Sequence, residues 1–298
     1  MNKLGKYLSF MVVVLTMLAV LTACGTEEAA EEVKEVVEEA TEAVEEAMYS
    51  EDVQAIVDRG VIRVGVKNAV LGFGYQDTLT QEYTGLEISI AEKIAAELGV
   101  EIEFTAVTAA TRTELLDSGD LDCVLATFTI TEERRKSWDF STPYFTDHVT
   151  VLVETEAGIT DLAGLVDKKV GVSSGSTSSK ALVTAMIEAG VLATDNFDPE
   201  TFDASTWTQG VSFLQFDDYP TISTALSAGE IDAFCVDKSI LAVYNTESRD
   251  YIADSFSPQD YGVATKKDSG VSTFVEDLIL AWIADGSIDA FIEENGLK

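Results

Sequence analysis

The chain repeats part of itself. LDSGDLDCVLAT at 116–127 aligns without a gap with LSAGEIDAFCVD at 226–237, 110 positions later, and RVGVK at 63–67 aligns with KVGVS at 169–173, 106 positions later. The longer segments read as the end of a helix, a glycine, then a short apolar run of the length of a buried strand. A strand–helix plan used twice predicts two lobes. The alignment pairs Thr127 with Asp237 and Lys67 with Ser173, each at the end of an apolar run. Ligands of open α/β sheets bind outside the carboxyl ends of the strands. Two lobes facing each other therefore bring these four residues to one cleft.

Each lobe reads as α/β. Residues 61–66 form a strand and residues 67–75 a loop. Ile88, Ala91, Ile94, Ala95 and Leu98 fall at helical spacing, and Ile102, Phe104 and Ala106 alternate as a strand. A helix with Leu115 and Leu116 inward ends at Gly119, before the strand at 123–126. This βαβαβ order predicts a parallel sheet covered by helices. Near the C-terminus Val271, Phe274, Val275, Leu278, Ile279 and Trp282 share one helical face, and Gly286 closes that helix.

The stretch 121–140 carries the candidate chemistry. Its strand delivers Thr127 and Thr129, then Thr131 as the N-cap of a short charged turn holding Arg134. A guanidinium donates two parallel hydrogen bonds to a carboxylate. Lys67 ends the first strand, and Arg112 starts a helix, where the helix dipole disfavours a cation. With 19 basic residues against 53 acidic ones, three cations at one rim make a positive pocket in an acidic shell, which suits a ligand with a second carboxylate. Asp237 reads either as a residue facing the cleft or as the cap of a helix beginning near Ser239. Tyr219 precedes Pro220, a good first helical residue. SSGSTSS at 173–179 opens a helix, so Ser176 and Thr177 are candidates for an anion-binding loop, the alternative being a flexible turn.

The formal charge of −34 argues against nucleic acid, whose phosphates need clustered Lys and Arg, and against electrostatic docking on anionic lipid. His148 is the one histidine, so neither a histidine-based metal site nor a His-centred triad can be built, and no cofactor is implied. The three cysteines form no disulfide framework. Cys123 and Cys235 sit in apolar runs and read as buried, inert residues in different lobes.

Residues 1–23 place Lys3 and Lys6 before an apolar core at 10–21, the layout of a signal peptide. Leu21-Thr22-Ala23-Cys24 resembles a bacterial lipobox, which implies a lipid on Cys24 and a domain tethered outside the membrane. Residues 24–50 form an acidic tether. Its Glu-, Ala- and Val-rich stretch 27–48 reads as a solvated, partly helical segment or as a coiled-coil seam.

ATFTITEER followed by WDFSTPYF resembles the signature of extracellular solute-binding proteins of ABC-type amino-acid importers, family 3. The likeness runs from about Gly60 to Lys298 and is nearest to members that bind aspartate and glutamate. VGVK (64–67), TAATRTELLDSG (108–119), FDDYPTISTAL (216–226), DAFCVDKSIL (232–241) and DSFSPQDYGVATKKD (254–268) fit that branch. The resemblance implies a two-lobed, periplasmic-binding-protein-like α/β fold with the ligand cleft between lobes. The first lobe spans 51–143 and the returning tail 262–298, the second lobe spans 149–256, and hinges lie at 144–148 and 257–261.

The resemblance also assigns roles: Arg134, with Thr129, to a ligand α-carboxylate, Asp237 to its α-ammonium, and Lys67, Arg112, Thr127 and Tyr219 to its side chain. It implies no catalysis, a monomer, and delivery to the transmembrane subunits of a permease. NAVLGFGY (68–75) departs from the pattern, with Val70 where relatives place an aromatic; Phe73 and Tyr75 are then packing residues. Glutamine remains an alternative ligand, because an amide accepts from Lys67 and donates to Thr127 or Tyr219. A ligand sensor and an enzyme on the same scaffold are the other readings.

Overall fold

The computed structural model describes residues 49–193 and 197–297. Cys24, the apolar leader and the tether through residue 48 lie outside the described residues. From Ala55 to Lys298 the chain forms one unit, and two sheets organise it.

The chain enters through α1 (Glu51–Arg59) and β1 (Val61–Val66). The predicted loop at 67–75 is instead part of a small antiparallel sheet of β2 (Ala69–Val70), β3 (Gly74–Gln76) and β4 (Tyr83–Thr84). Strands of two or three residues show no alternation to read, and Gly72, at φ 85°, makes the turn between the first two. Next come α2 (Leu86–Leu98), β5 (Glu101–Ala106), α3 (Thr111–Ser118), β6 (Cys123–Leu125) and β7 (Trp138–Phe140). Gly119 closes α3 in the left-handed conformation, as its position after Leu116 predicts. Gly85 precedes α2 at φ 131°, and a Cβ there would lie 2.1 Å from the Phe73 carbonyl oxygen. Only glycine fits.

The second sheet uses β8 (Phe145–Glu154), β9 (Lys168–Ser173), α4 (Ser178–Glu188), β10 (Val211–Phe216), α5 (Tyr219–Ser227), β11 (Ala233–Asp237), a short α6 (Lys238–Leu241), β12 (Arg249–Tyr251) and β13 (Phe256–Tyr261). The chain then returns to the first sheet with β14 (Ala264–Lys266), followed by α7 (Gly270–Ala284) and α8 (Ser287–Glu294). In α7 the buried residues are Val271, Val275, Ile279 and Trp282. The Lys93 ammonium of α2 sits 5.2 Å from the Trp282 ring centroid, so this tail packs on first-lobe helices.

The strand orders match. The first sheet runs β5-β1-β6-β14-β7 and the second β10-β9-β11-β8-β12, with β13 also paired to β8. In each, three parallel strands are followed by an antiparallel one. Both sheets are therefore mixed: the strands of the βαβ units are parallel, as their order predicts, and the antiparallel ones come from the crossings and the returning tail. Val124, Leu116, Leu121 and Phe128 centre the first core, and Val151, Val172, Leu182 and Met186 the second.

The crossing strands β8 and β13 pair antiparallel, with Phe145 opposite Tyr261 and His148 opposite Pro258. The Tyr144 N–H donates to the Tyr261 carbonyl at 3.0 Å. Cys123 and Cys235 are buried and unpaired in different sheets, and burial pushes both thiols up, away from reactivity.

Candidate ligand site between the lobes

The strand ends meet in two neighbouring cavities that open to solvent, and their volumes include that open mouth. The first, about 240 Å³, is lined by Arg112, Thr127, Thr129, Arg134, Ser176, Thr177, Tyr219 and Asp237, together with Ala109, Ser178 and Val236. The second, about 300 Å³, is lined by Lys67, Asn68, Val70, Ser173 and Pro220 among others, and again by Tyr219. Both cavities draw on both lobes. The repeat-related pairs separate between them: Thr127 with Asp237 in one, Lys67 with Ser173 in the other. Lys67 is thus the sequence-derived candidate that does not line the first cavity. Its ammonium lies 5.4 Å from the centroid of the Tyr219 ring, which borders both spaces.

The two arginines flank Phe128. The Arg112 and Arg134 guanidinium carbons lie 3.7 and 4.8 Å from its ring centroid, so an apolar, fully buried face carries both cations. Arg112 is the second residue of α3, and its Nη1 donates to the carbonyls of Ala126 at 2.7 Å and Thr127 at 3.3 Å. Arg134 begins a 3₁₀ turn whose first N–H donates to Thr131 Oγ1 at 3.1 Å, the cap expected there. Arg134 Nη1 donates to the Thr129 carbonyl at 2.7 Å, and its Nη2 reaches the second lobe at the Gly175 carbonyl, 3.0 Å. Neither arginine is in an ion pair among the described residues. Burial lowers Arg112 to about 10 and, with Arg112 as a neighbour, Arg134 to about 9. Each is a desolvated donor set facing a cavity.

Asp237 ends β11. It precedes α6, yet its side chain does not cap that helix. Asp147 of β8 does so, accepting from the Ser239 N–H at 3.1 Å and from the Ser239 hydroxyl. This leaves the Asp237 carboxylate facing the cavity, with the Tyr261 hydroxyl donating to Oδ2. Burial raises Asp237 to about 7, and burial lowers Lys67 to about 7, the Arg112 charge adding to the effect. Among the described residues neither group is in an ion pair. Tyr219 opens α5 beside Pro220, and burial raises the pKa of its hydroxyl.

In the second-lobe loop the Thr177 hydroxyl donates to Gln259 Oε1 at 2.7 Å, so it is committed within the protein rather than free for a ligand. Ser176 Oγ and Ser178 Oγ are buried and have no hydrogen-bond partner among the described residues. Ser178, at the first position of α4, joins the loop candidates. A Cβ on Gly175, at φ 74°, would come within 2.8 Å of the Ala109 carbonyl oxygen, so the loop touches the first lobe here.

Sequence reasoning missed Glu87. It is fully buried at the start of α2, and its Oε1 accepts from the Thr127 N–H and the Tyr144 hydroxyl, both at 2.6 Å. An acidic residue in a first helical turn ordinarily reads as a solvated partner of the helix dipole. The one available signal is its position between Leu86 and Ile88, both buried. Phe73, by contrast, packs edge-on against Phe145 and Tyr261, with centroids 5.1 and 5.6 Å apart.

The paired lobes and the cleft at their strand ends define a solute-binding architecture. The chain belongs to the bacterial extracellular solute-binding proteins, family 3, whose model matches residues 62–296. It is 32% identical over 272 residues to the ABC transporter glutamine-binding protein GlnH of Bacillus subtilis (strain 168), covering 88% of this chain and 86% of that protein. It is 30% identical to the L-cystine-binding protein TcyJ of Escherichia coli (strain K12), over 80% of this chain and 84% of the relative. Among solved structures, an ancestral arginine-binding protein bound to arginine superposes with a TM-score of 0.66 at 30% identity, over 80% of this chain and 99% of that one.

Proposed function

We propose that this protein is an extracytoplasmic, lipid-anchored binding protein that captures glutamate or aspartate by closure of its lobes and delivers it to an ABC-type permease. The relatives' named ligands differ, so the ligand class is argued from the cleft. The observation that carries the reading is a charge imbalance. Three cations, Lys67, Arg112 and Arg134, line the two cavities with one carboxylate, Asp237, and a second, buried Glu87, lies behind Thr127. One positive charge remains. The zwitterionic head of an amino acid leaves it in place, whereas a side-chain carboxylate cancels it, and a buried charge without a partner is costly.

In this arrangement Arg134, with the Thr129 hydroxyl and the serines of the α4 N-terminus, takes the α-carboxylate. Asp237 takes the α-ammonium. Arg112, Thr127, Tyr219 and, across the Tyr219 ring, Lys67 read the side chain. Binding both lobes at once favours the closed arrangement, with hinges at 144–148 and 257–261. Glutamine is the competing reading. It is supported by the likeness to GlnH and by Lys67, which burial brings to about 7 and so toward a neutral acceptor.

Calorimetric titration with the standard amino acids tests the proposal. Tightest binding of glutamate or aspartate supports it, and a preference for glutamine or arginine contradicts it. Anchoring is tested separately: Cys24→Ser should move the protein from the membrane fraction to the soluble one.

A further inference from the structure

Glu87 touches no ligand group in the scheme above and enters it only through its charge, and its surroundings are unusual for a carboxylate that only supports the fold. Burial raises the Glu87 pKa, and against it two donors converge on Oε1, the Thr127 N–H and the Tyr144 hydroxyl, which with the nearby Lys67 and Arg112 charges favour the ionised form. Its Oε2 is buried and meets no donor. A buried polar atom ordinarily finds a partner. Beyond Thr127, Arg112 is in the converse state: Nη1 holds the Ala126 and Thr127 carbonyls, while Nε is buried without an acceptor. Glu87 therefore stands one backbone residue behind the first cavity, in the same desolvated region as Arg112 and Lys67, and contacts neither cation.

Thr127 itself needs support. It lies at φ 44°, in the left-handed region that a β-branched residue adopts only under constraint. The short bond from its N–H to Glu87 and the bond from Arg112 to its carbonyl hold both sides of this residue.

We infer that Glu87 is a positioning and specificity-determining residue: it pins the left-handed backbone of Thr127, and its charge limits the positive excess beside Lys67 and Arg112 to what one extra ligand carboxylate cancels. The second part rests on the acidic-ligand reading. The two parts act differently on ligands. Loss of positioning weakens all ligands alike, whereas loss of the charge acts on the difference between a charged and a neutral side chain. Removing a negative charge close to the cavity leaves glutamate with one repulsion fewer, while glutamine is affected only through position.

The test is Glu87→Gln, which keeps the size and one acceptor and removes the charge. The unmodified protein and the variant are titrated calorimetrically with L-glutamate and L-glutamine. The ratio of glutamine Kd to glutamate Kd should rise about tenfold in the variant, the scale of a unit charge several ångströms away in a partly screened site. Tyr144→Phe lies outside both cavities and removes one of the two donors that favour the ionised carboxylate. It should move the ratio the same way by a smaller factor, and it decides the matter if Glu87→Gln does not fold. Equal changes for both ligands, in whichever variant folds, would reduce Glu87 to a structural role and overturn the inference. A preference of the unmodified protein for glutamine counts against the acidic-ligand reading instead; the shift in ratio on substitution still decides the role of Glu87.

Discussion

Asp122 in the first lobe accepts the Arg63 N–H at 2.8 Å, and Asp232 in the second accepts the Lys169 N–H at the same distance. These are repeat-related residues making one contact twice. Gly65 and Gly171 are likewise paired: a Cβ on the first would meet Leu121 Cδ1 at 2.6 Å, and on the second Ile231 Cδ1 at 2.4 Å. Within this shared frame the lobes differ at the strand ends. Lys67 in one stands where Ser173 stands in the other, and Thr127 where Asp237 stands. A common frame thus presents a cationic edge from the first lobe and a carboxylate and hydroxyl edge from the second. The frame can stay constant because each of its contacts is made within one lobe, while the strand ends face the cleft and are free to differ in charge.

The largest effect should come from the edges. Asp237→Ala removes the second lobe's only buried charge in the first cavity and should cost roughly 3–5 kcal/mol of binding for every amino acid, read by calorimetry. Undiminished affinity would break the assignment of opposite charges to the two edges.

The frame should respond symmetrically. Gly65→Ala and Gly171→Ala force a Cβ against a packed aliphatic end in each lobe and should each lower stability by about 1–3 kcal/mol in thermal unfolding. A silent substitution in one lobe would show that the contact is not equivalent. Asp122→Ala and Asp232→Ala each leave a strand N–H without its acceptor, about 1 kcal/mol. Asp122→Ala should lose slightly more, because Asp122 also pairs with Arg59 and Arg63 at the surface.

The smallest effect is that of pH near neutrality. Asp237, raised to about 7, takes up a proton as pH falls below that value and loses its charge for an ammonium. Lys67, lowered to about 7, loses its proton as pH rises above it. Glutamate affinity should therefore decline on both sides of neutrality and glutamine affinity on the acid side, as calorimetry across pH 6–8 would show.

Much of this was legible in the sequence because the repeat keeps its spacing. The 110-residue offset locates both third strands, and Gly119 marks where α3 stops. The antiparallel strands β8 and β14 were not legible, since one apolar run reads the same in either direction and only the chain's path through the crossings fixes its polarity. For Asp237 the local pattern left cap and ligand group open; the decision lies with Asp147, ninety residues earlier in another strand. The separation of Lys67 from the first cavity depends on where the Tyr219 ring sits, which no local pattern encodes. Glu87 stayed hidden because its partners, Thr127 and Tyr144, are distant in sequence.

The central claim is that the first lobe's edge reads a negative side chain. Lys67→Met tests it most directly, since the thioether keeps the bulk of the stem and removes only the ammonium. In parallel titrations of this variant, glutamate affinity should fall by about tenfold or more while glutamine affinity changes little. An equal fall for both ligands, or no change for glutamate, would contradict the account.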